Sequence, residues 1–131
     1  DMRVDWIEKS RKKIGEKPKT RYIFDNINRG MAKLVLSYRV ALYAEKYGFT
    51  YRRVYVRNQR TRWGSESAQG NISLNCKLVR LPVEMMDYVI LHELVHTRVR
   101  NHSKAFWDEL AKYCPDHVRI RERFKHYRLT P

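Results

Sequence analysis

Cysteine is scarce: only Cys76 and Cys114 occur, and they stand at no CxxC or finger spacing. That excludes a disulfide framework and suits reduced thiols in a cytoplasmic protein. Long hydrophobic runs are missing too. Nothing approaches the ~18 apolar residues that a membrane span needs, and no charged-then-apolar leader opens the chain. There is no internal repeat and no low-complexity tract. The first residue is Asp1 rather than Met, which predicts a trimmed or processed start with residues missing upstream. Carboxylates are outnumbered: 14 Asp and Glu face 28 Lys and Arg, a net charge of +14. Such a surface attracts polyanions, so non-specific association with nucleic acid is expected. Charge of this kind governs encounters and says nothing of fold. What is present is 43% hydrophobic over 131 residues, enough for one domain with one core.

Residues 1–24 are expected to form a peripheral arm or the remnant of a missing segment, with residues 25–131 as the domain proper. Within the arm, residues 5–13 suit a short helix docked by Trp6 and Ile7 and broken by Gly15 and Pro18. Residues 25–47 predict a long helix, capped by Asp25 or Asn26 and ended by Gly48. Ile27, Met31, Leu34, Val35, Tyr38, Ala41 and Leu42 recur at helical spacing as its apolar face. YRRVYVR at 51–57 alternates as a strand does, and Asn58-Gln59 reads as a turn. Residues 60–65 and 71–74 predict two further strands around a turn-like region between Gly64 and Gly70. Pro82 suits the first turn of a helix running to about Arg100. Ser103 is placed to cap the next helix, which holds Phe106, Trp107 and Leu110 and stops before Pro115. Residues 116–127 predict a last, basic helix. Three strands among helices without βαβ alternation give the α+β class.

HELVHTRVRNH, residues 92–102, carries the chemistry. A lone histidine on a helix is usually a surface or satisfied core residue. Here Met85, Tyr88, Leu91, Val95 and Val99 share one broad side of the helix, and Ile90 and Leu94 fall elsewhere. A helix so apolar around its circumference is buried. His92, Glu93 and His96 nevertheless gather in one narrow arc, and buried polar groups need partners. A metal ion is the simplest one. Imidazoles four residues apart project from one face and can bind a single ion. Glu93 lies beside that ion, where it can take a proton from a metal-bound water. This is the HExxH arrangement of zinc peptidases.

A catalytic zinc needs a third protein ligand and an open fourth position. His102 is the leading candidate, and Asp108 or Glu109 the alternative. For His102 to return, the chain must reverse sharply after His96. Asn101 is the expected pivot, because Asn tolerates the left-handed conformation. The spacing 92, 96, 102 fits HExxHxxGxxH, but Val99 stands where the glycine would be and no methionine follows Met86. A metzincin with its Met-turn is therefore excluded.

Other residues bear on substrate. Residues 71–75 are expected to form the edge strand above the zinc, with Asn71, Ser73 and Asn75 offering backbone bonds to an extended peptide. Arg60 and Arg62 can touch substrate or stay solvated. Trp63 reads as core and Gly64 as a bend or bulge. For the oxyanion, His117, Tyr127, Tyr88 and Arg100 are all available and spacing does not choose among them. His126 is expected on an exposed helix face, and Phe106 and Trp107 in the core. VRIRERFKHYR at 118–128 reads as a helix with a solvated basic face, or second as a surface for nucleic acid.

RTRWGS at 60–65, GNISLN at 70–75, LP at 81–82, DYVILHELVH at 87–96 and NHSKAFW at 101–107 occur in that order and close together. With these motifs the sequence resembles the YgjP-like metallopeptidase family, related to the SprT-like and WLM zinc peptidases, over about residues 25–125. The resemblance implies a single zincin-like domain with a long N-terminal helix, a small, mainly antiparallel sheet of about three strands, the HExxH helix and C-terminal helices. It implies one zinc ion held by His92, His96 and His102, with Glu93 activating the zinc-bound water to hydrolyse peptide bonds in a protein or peptide substrate. Two departures stand out. Family members usually carry a strand-rich segment before the long helix, and many have Cys after WGS, where this chain has Glu66. The competing expectations are a basic nucleic-acid-binding module with a structural zinc, or, by analogy with SprT-like relatives, a peptidase acting on DNA-associated proteins.

Overall fold

The computed structural model describes residues 2–3, 20–23 and 26–129. The helix expected over residues 5–13 and the cap expected at Asp25 lie outside them. The described chain runs β1 (Met2–Arg3), β2 (Arg21–Ile23), α1 (Arg29–Tyr47), β3 (Arg53–Arg57), β4 (Arg62–Glu66), β5 (Asn71–Asn75), a 3-10 turn (Cys76–Arg80), α2 (Val83–His96), α3 (Lys104–Tyr113), α4 (His117–Arg123), a second 3-10 turn (Phe124–His126) and β6 (Tyr127–Leu129). The class is α+β with small sheets, as the sequence predicts, but among the described strands two pairings are antiparallel and two are parallel.

α1 starts later than expected. Asn28, in extended conformation, accepts the free N–H of Met31 at 2.9 Å and caps the helix in place of Asn26. Gly48, at φ +76, ends it and returns its N–H to Ala44. Most of its expected apolar face turns outward, although Val35 packs on the core. Met31, Leu34, Tyr38 and Leu42 are 57%, 68%, 65% and 40% exposed, and Ala32, Leu36, Val40 and Ala44 are buried instead. α1 carries apolar residues on both sides, so periodicity alone does not orient it. Arg39 does: its guanidinium holds both oxygens of Asp87 on α2 at 2.7 Å, and the Tyr43 hydroxyl donates to the same carboxylate at 2.7 Å. This bidentate clamp turns the Leu36 side inward.

The main sheet has the order β1-β4-β5-β3. β4 pairs antiparallel with β5 and with β1, while β3 pairs parallel with β5. β5 is therefore interior, with a partner on each side, and the edge position expected for residues 71–75 is corrected. A second, two-stranded sheet pairs β2 in parallel with β6. Residues 127–129 thus leave the helix expected to reach Tyr127. The extended backbone of Tyr127 finds a partner in Arg21, and Tyr127 and Ile23 are buried.

α2 crosses the middle of the molecule. Every residue from Met85 to His96 is buried except the half-buried Asp87, because α1, β4, α3 and α4 all pack on it. It ends at His96 rather than near Arg100, where the N–H groups of Thr97 and Arg98 take the carbonyls three residues back in a tightened turn. Trp63, Tyr88, Leu94, Phe106, Leu110 and Phe124 fill the core around it. Cys76 and Cys114 are buried free thiols. No described helix is long and apolar enough to cross a membrane.

Candidate metal centre

His92 and His96 sit one turn apart near the end of α2, with ring centres 4.9 Å apart. The reversal after α2 brings His102 over them, just before α3. One ligand nitrogen from each of the three rings lies within 4.8 Å of the others. Nε2 of His96 and Nε2 of His102 face each other at 3.1 Å. Two nitrogens at ~2.0–2.1 Å from one tetrahedral zinc would be about 3.3 Å apart, so the spacing fits a shared ion.

The protonation of the rings also suits a cation. Burial holds His92 well below the usual histidine range, lowers His96 to about 4 and lowers His102 as well. Near neutral pH all three are uncharged lone-pair donors. Nδ1 of His96 lies 3.1 Å from the carbonyl oxygen of Val99. A carbonyl only accepts, so Nδ1 carries the proton and Nε2 turns its lone pair toward His102. The sequence did not single out this contact, because it uses the main chain of the residue that breaks the glycine pattern. The reversal needs no left-handed residue either. Among the described residues only Gly48 and Gly70 have positive φ, so Asn101 is not the left-handed pivot expected of it.

Glu93 is fully buried beside the histidines, with Oε2 3.4 Å from Nδ1 of His92. Burial raises its pKa. β4 passes directly over it. A Cβ added at Gly64 would lie 3.2 Å from both Cγ and Oε2 of Glu93 and 3.0 Å from Val89 Cγ1. The bend or bulge expected at Gly64 has its counterpart in the β1–β4 register, which slips between Arg62 and Gly64, and the missing Cβ also lets the strand approach the helix closely.

Asp108 and Glu109 are engaged away from this cluster. Asp108 pairs with Lys104 at 2.9 Å, and Glu109 with Arg98 at 2.6 Å and Lys112 at 2.9 Å. Asn71, Ser73 and Asn75 do not join the histidines. Their strand is paired on both sides, so its main chain is not free for a peptide. The side chain of Asn75 is structural: it donates to the carbonyls of Gln59 and Arg62 at 2.9 Å each and accepts from Lys77 N. Asn71 and Ser73 line a shallow groove with Tyr55, Arg57 and Arg62.

The oxyanion candidates separate as well. Arg100 is held by Glu66 at 2.7 Å and by the Ser67 carbonyl at 3.2 Å. Tyr127 is buried in β6. The Tyr88 hydroxyl is enclosed in the core, which pushes its pKa up. His117 stacks on Trp107, ring centres 5.6 Å apart, and burial lowers its pKa. Trp107 is half-buried rather than in the core and lies 5.7 Å from the His102 ring. His126 is half-buried and follows α4.

The arrangement as a whole is a set of three neutral imidazoles converging beside a dehydrated carboxylate. The three rings could hold a cation, with the carboxylate of Glu93 next to it. The pattern of the YgjP-like metallopeptidase domain matches residues 2–127. No curated protein matches the chain by sequence. Its fold is shared with the metallopeptidase zymogen abylysin of Pyrococcus abyssi, at TM-score 0.62 and 23% identity over 72% of this chain and 99% of that one. The metallopeptidase zymogen jannalysin of Methanocaldococcus jannaschii aligns at TM-score 0.51 and 22% identity, covering 70% and 95%. A mutant of Wss1 from Saccharomyces cerevisiae aligns at TM-score 0.55 and 20% identity, covering 81% and 95%.

Proposed function

The chain belongs to the YgjP-like metallopeptidase domain family, and from that premise we propose a zinc-dependent peptidase with one ion on His92, His96 and His102 and Glu93 as general base. The observation that carries this reading is the convergence of three lone-pair nitrogens within 4.8 Å. Imidazole nitrogens suit zinc, and three of them leave the open position that catalysis needs. When bound, the ion supplies Lewis acidity and brings the pKa of a water toward ~7. Glu93 accepts that proton, since burial makes its carboxylate a stronger base than usual. The same carboxyl group then protonates the departing amine. Gly64 keeps Glu93 in place by leaving it just enough room. All these groups lie within residues 25–131, which we take as the domain proper. The buried free thiols fit a reducing compartment, so we place the protein in the cytoplasm.

The test is zinc content together with hydrolysis of a denatured protein such as casein. Wild type should carry one zinc per chain, and His102→Ala should lose it. Glu93→Gln should keep the zinc while hydrolysis drops by roughly 10²–10⁴-fold. Undiminished turnover by Glu93→Gln would remove the base from the mechanism. Undiminished zinc in His102→Ala would move the third ligand elsewhere.

A further inference from the structure

α4 presents three arginines, and two of them are spoken for. Arg119 pairs with Glu84 at 3.1 Å and with Asp116 at 3.2 Å, and Arg123 also binds Glu84. Arg121 has no ion pair among the described residues. Its guanidinium carbon lies 4.8 Å from the centre of the Trp107 ring. Trp107 stands 5.7 Å from the His102 ring at 25°, 6.2 Å from His92 and 5.6 Å from His117 at 17°. His117 and Arg121 are one helical turn apart, so α4 turns one face toward the metal centre and its paired arginines toward Glu84.

A cation laid on Trp107, which itself packs on the His92 and His102 rings, works against the ion those rings would hold. Such a charge is useful where negative charge builds up. Amide hydrolysis creates that charge on the carbonyl oxygen under attack. Each oxyanion donor weighed from the sequence is either tied to another group or enclosed, except His117, which shares this face.

We propose that Arg121, laid on Trp107 as a platform, stabilises the oxyanion formed on the scissile carbonyl. The assignment rests on the peptidase reading above. A guanidinium also recognises a carboxylate, so the same group could instead hold a peptide's C-terminus in the ground state, and the test must separate the two. Zinc-loaded Arg121→Gln and Arg121→Lys are compared with wild type on denatured casein. The expected result for Arg121→Gln is a fall in kcat of about 10²-fold with KM within about twofold, as for loss of an oxyanion donor. Arg121→Lys regains part of it, and Trp107→Leu repeats the kcat-only loss.

A binding readout needs no turnover. An N-capped alanine-rich phosphinic peptide, whose tetrahedral oxygens imitate the hydrated amide, should bind Arg121→Gln at least tenfold more weakly. The hydroxamate of the same peptide, which lacks that tetrahedral centre, should bind as before, and zinc content should not change. Loss of both inhibitors alike, a rise in KM with kcat kept, or no change in kcat would each overturn the assignment. The phosphinic peptide is also measured on Glu93→Gln, with and without Arg121→Gln, so the result stands apart from whether Glu93 is the base. If zinc-loaded wild type binds neither inhibitor and cuts nothing, the peptidase reading fails and takes this assignment with it.

Discussion

α1 and α2 pack against each other and treat their apolar residues in opposite ways. α1 leaves Met31, Leu34, Tyr38 and Leu42 in solvent, while α2 buries nearly its whole length, including three polar side chains. Hydrophobicity of the individual residues does not account for this. Surroundings do: α2 is enclosed by α1, β4, α3 and α4, whereas among the described residues α1 packs mainly on α2, β3 and the first 3-10 turn. Enclosure is also what gives α2 its chemistry. The same desolvation that would penalise a stray histidine keeps His92 and His96 neutral and makes Glu93 a better base. On α1 the polar residues Arg39 and Tyr43 do something different: they decide which apolar face goes inward.

The contrast can be broken most forcefully within α1 itself. Leu36→Ala empties a fully buried site and should cost about 2–5 kcal/mol in urea denaturation. Leu34→Ala, two positions away on the solvent side, should stay within about 0.5 kcal/mol. Equal costs would mean that the helix is turned the other way. A smaller effect is expected where β4 meets α2. Gly64→Ala would press on Glu93 and Val89, and turnover of casein should fall by roughly 10-fold to 100-fold, as for a misplaced base, with zinc retained. Unchanged turnover would show that Glu93 has slack.

The smallest effect concerns acid. Burial lowers His96 to about 4, below its ordinary value of 6.5, and lowers His92 and His102 too. The unfolded chain therefore takes up protons first. The stability these rings contribute is intact above pH 6.5 and is lost as pH falls from there toward 4. Glu93 acts in the opposite sense, since its raised pKa means the folded state keeps a proton that the unfolded chain releases. In metal-free Glu93→Gln that opposing contribution is gone, and thermal melts should drop between pH 6.5 and 4. A flat profile there would mean that His92 and His96 are hydrated, not enclosed.

Much of the candidate metal centre was legible in the sequence because it is local. Residues 92, 93 and 96 share one helix arc, and 102 follows within one chain reversal, so spacing alone brings them into range of one another. What escaped was non-local. The interior place of β5 depends on β3 arriving parallel from earlier in the chain, which no property of residues 71–75 discloses. The end of α4 depended on β2 lying ready to pair with residues 127–129. The inward face of α1 depended on Asp87, more than forty positions from Arg39 and Tyr43. Arg121 was hidden by sameness: in a run of basic residues nothing in the letters tells which one lacks an acid.

The contact between His96 and the carbonyl of Val99 has a consequence of another kind. Every amino acid brings the same oxygen to that place, so no codon writes it and no codon can erase it. A scan that swaps side chains one at a time would read only the packing of the valine and pass over the acceptor. Exchanging the amide of that peptide link for an ester, or shifting the turn by one residue, is what would expose it. The orientation of the proposed metal ligand His96 is thus kept in the path of the chain, where ordinary mutation does not reach.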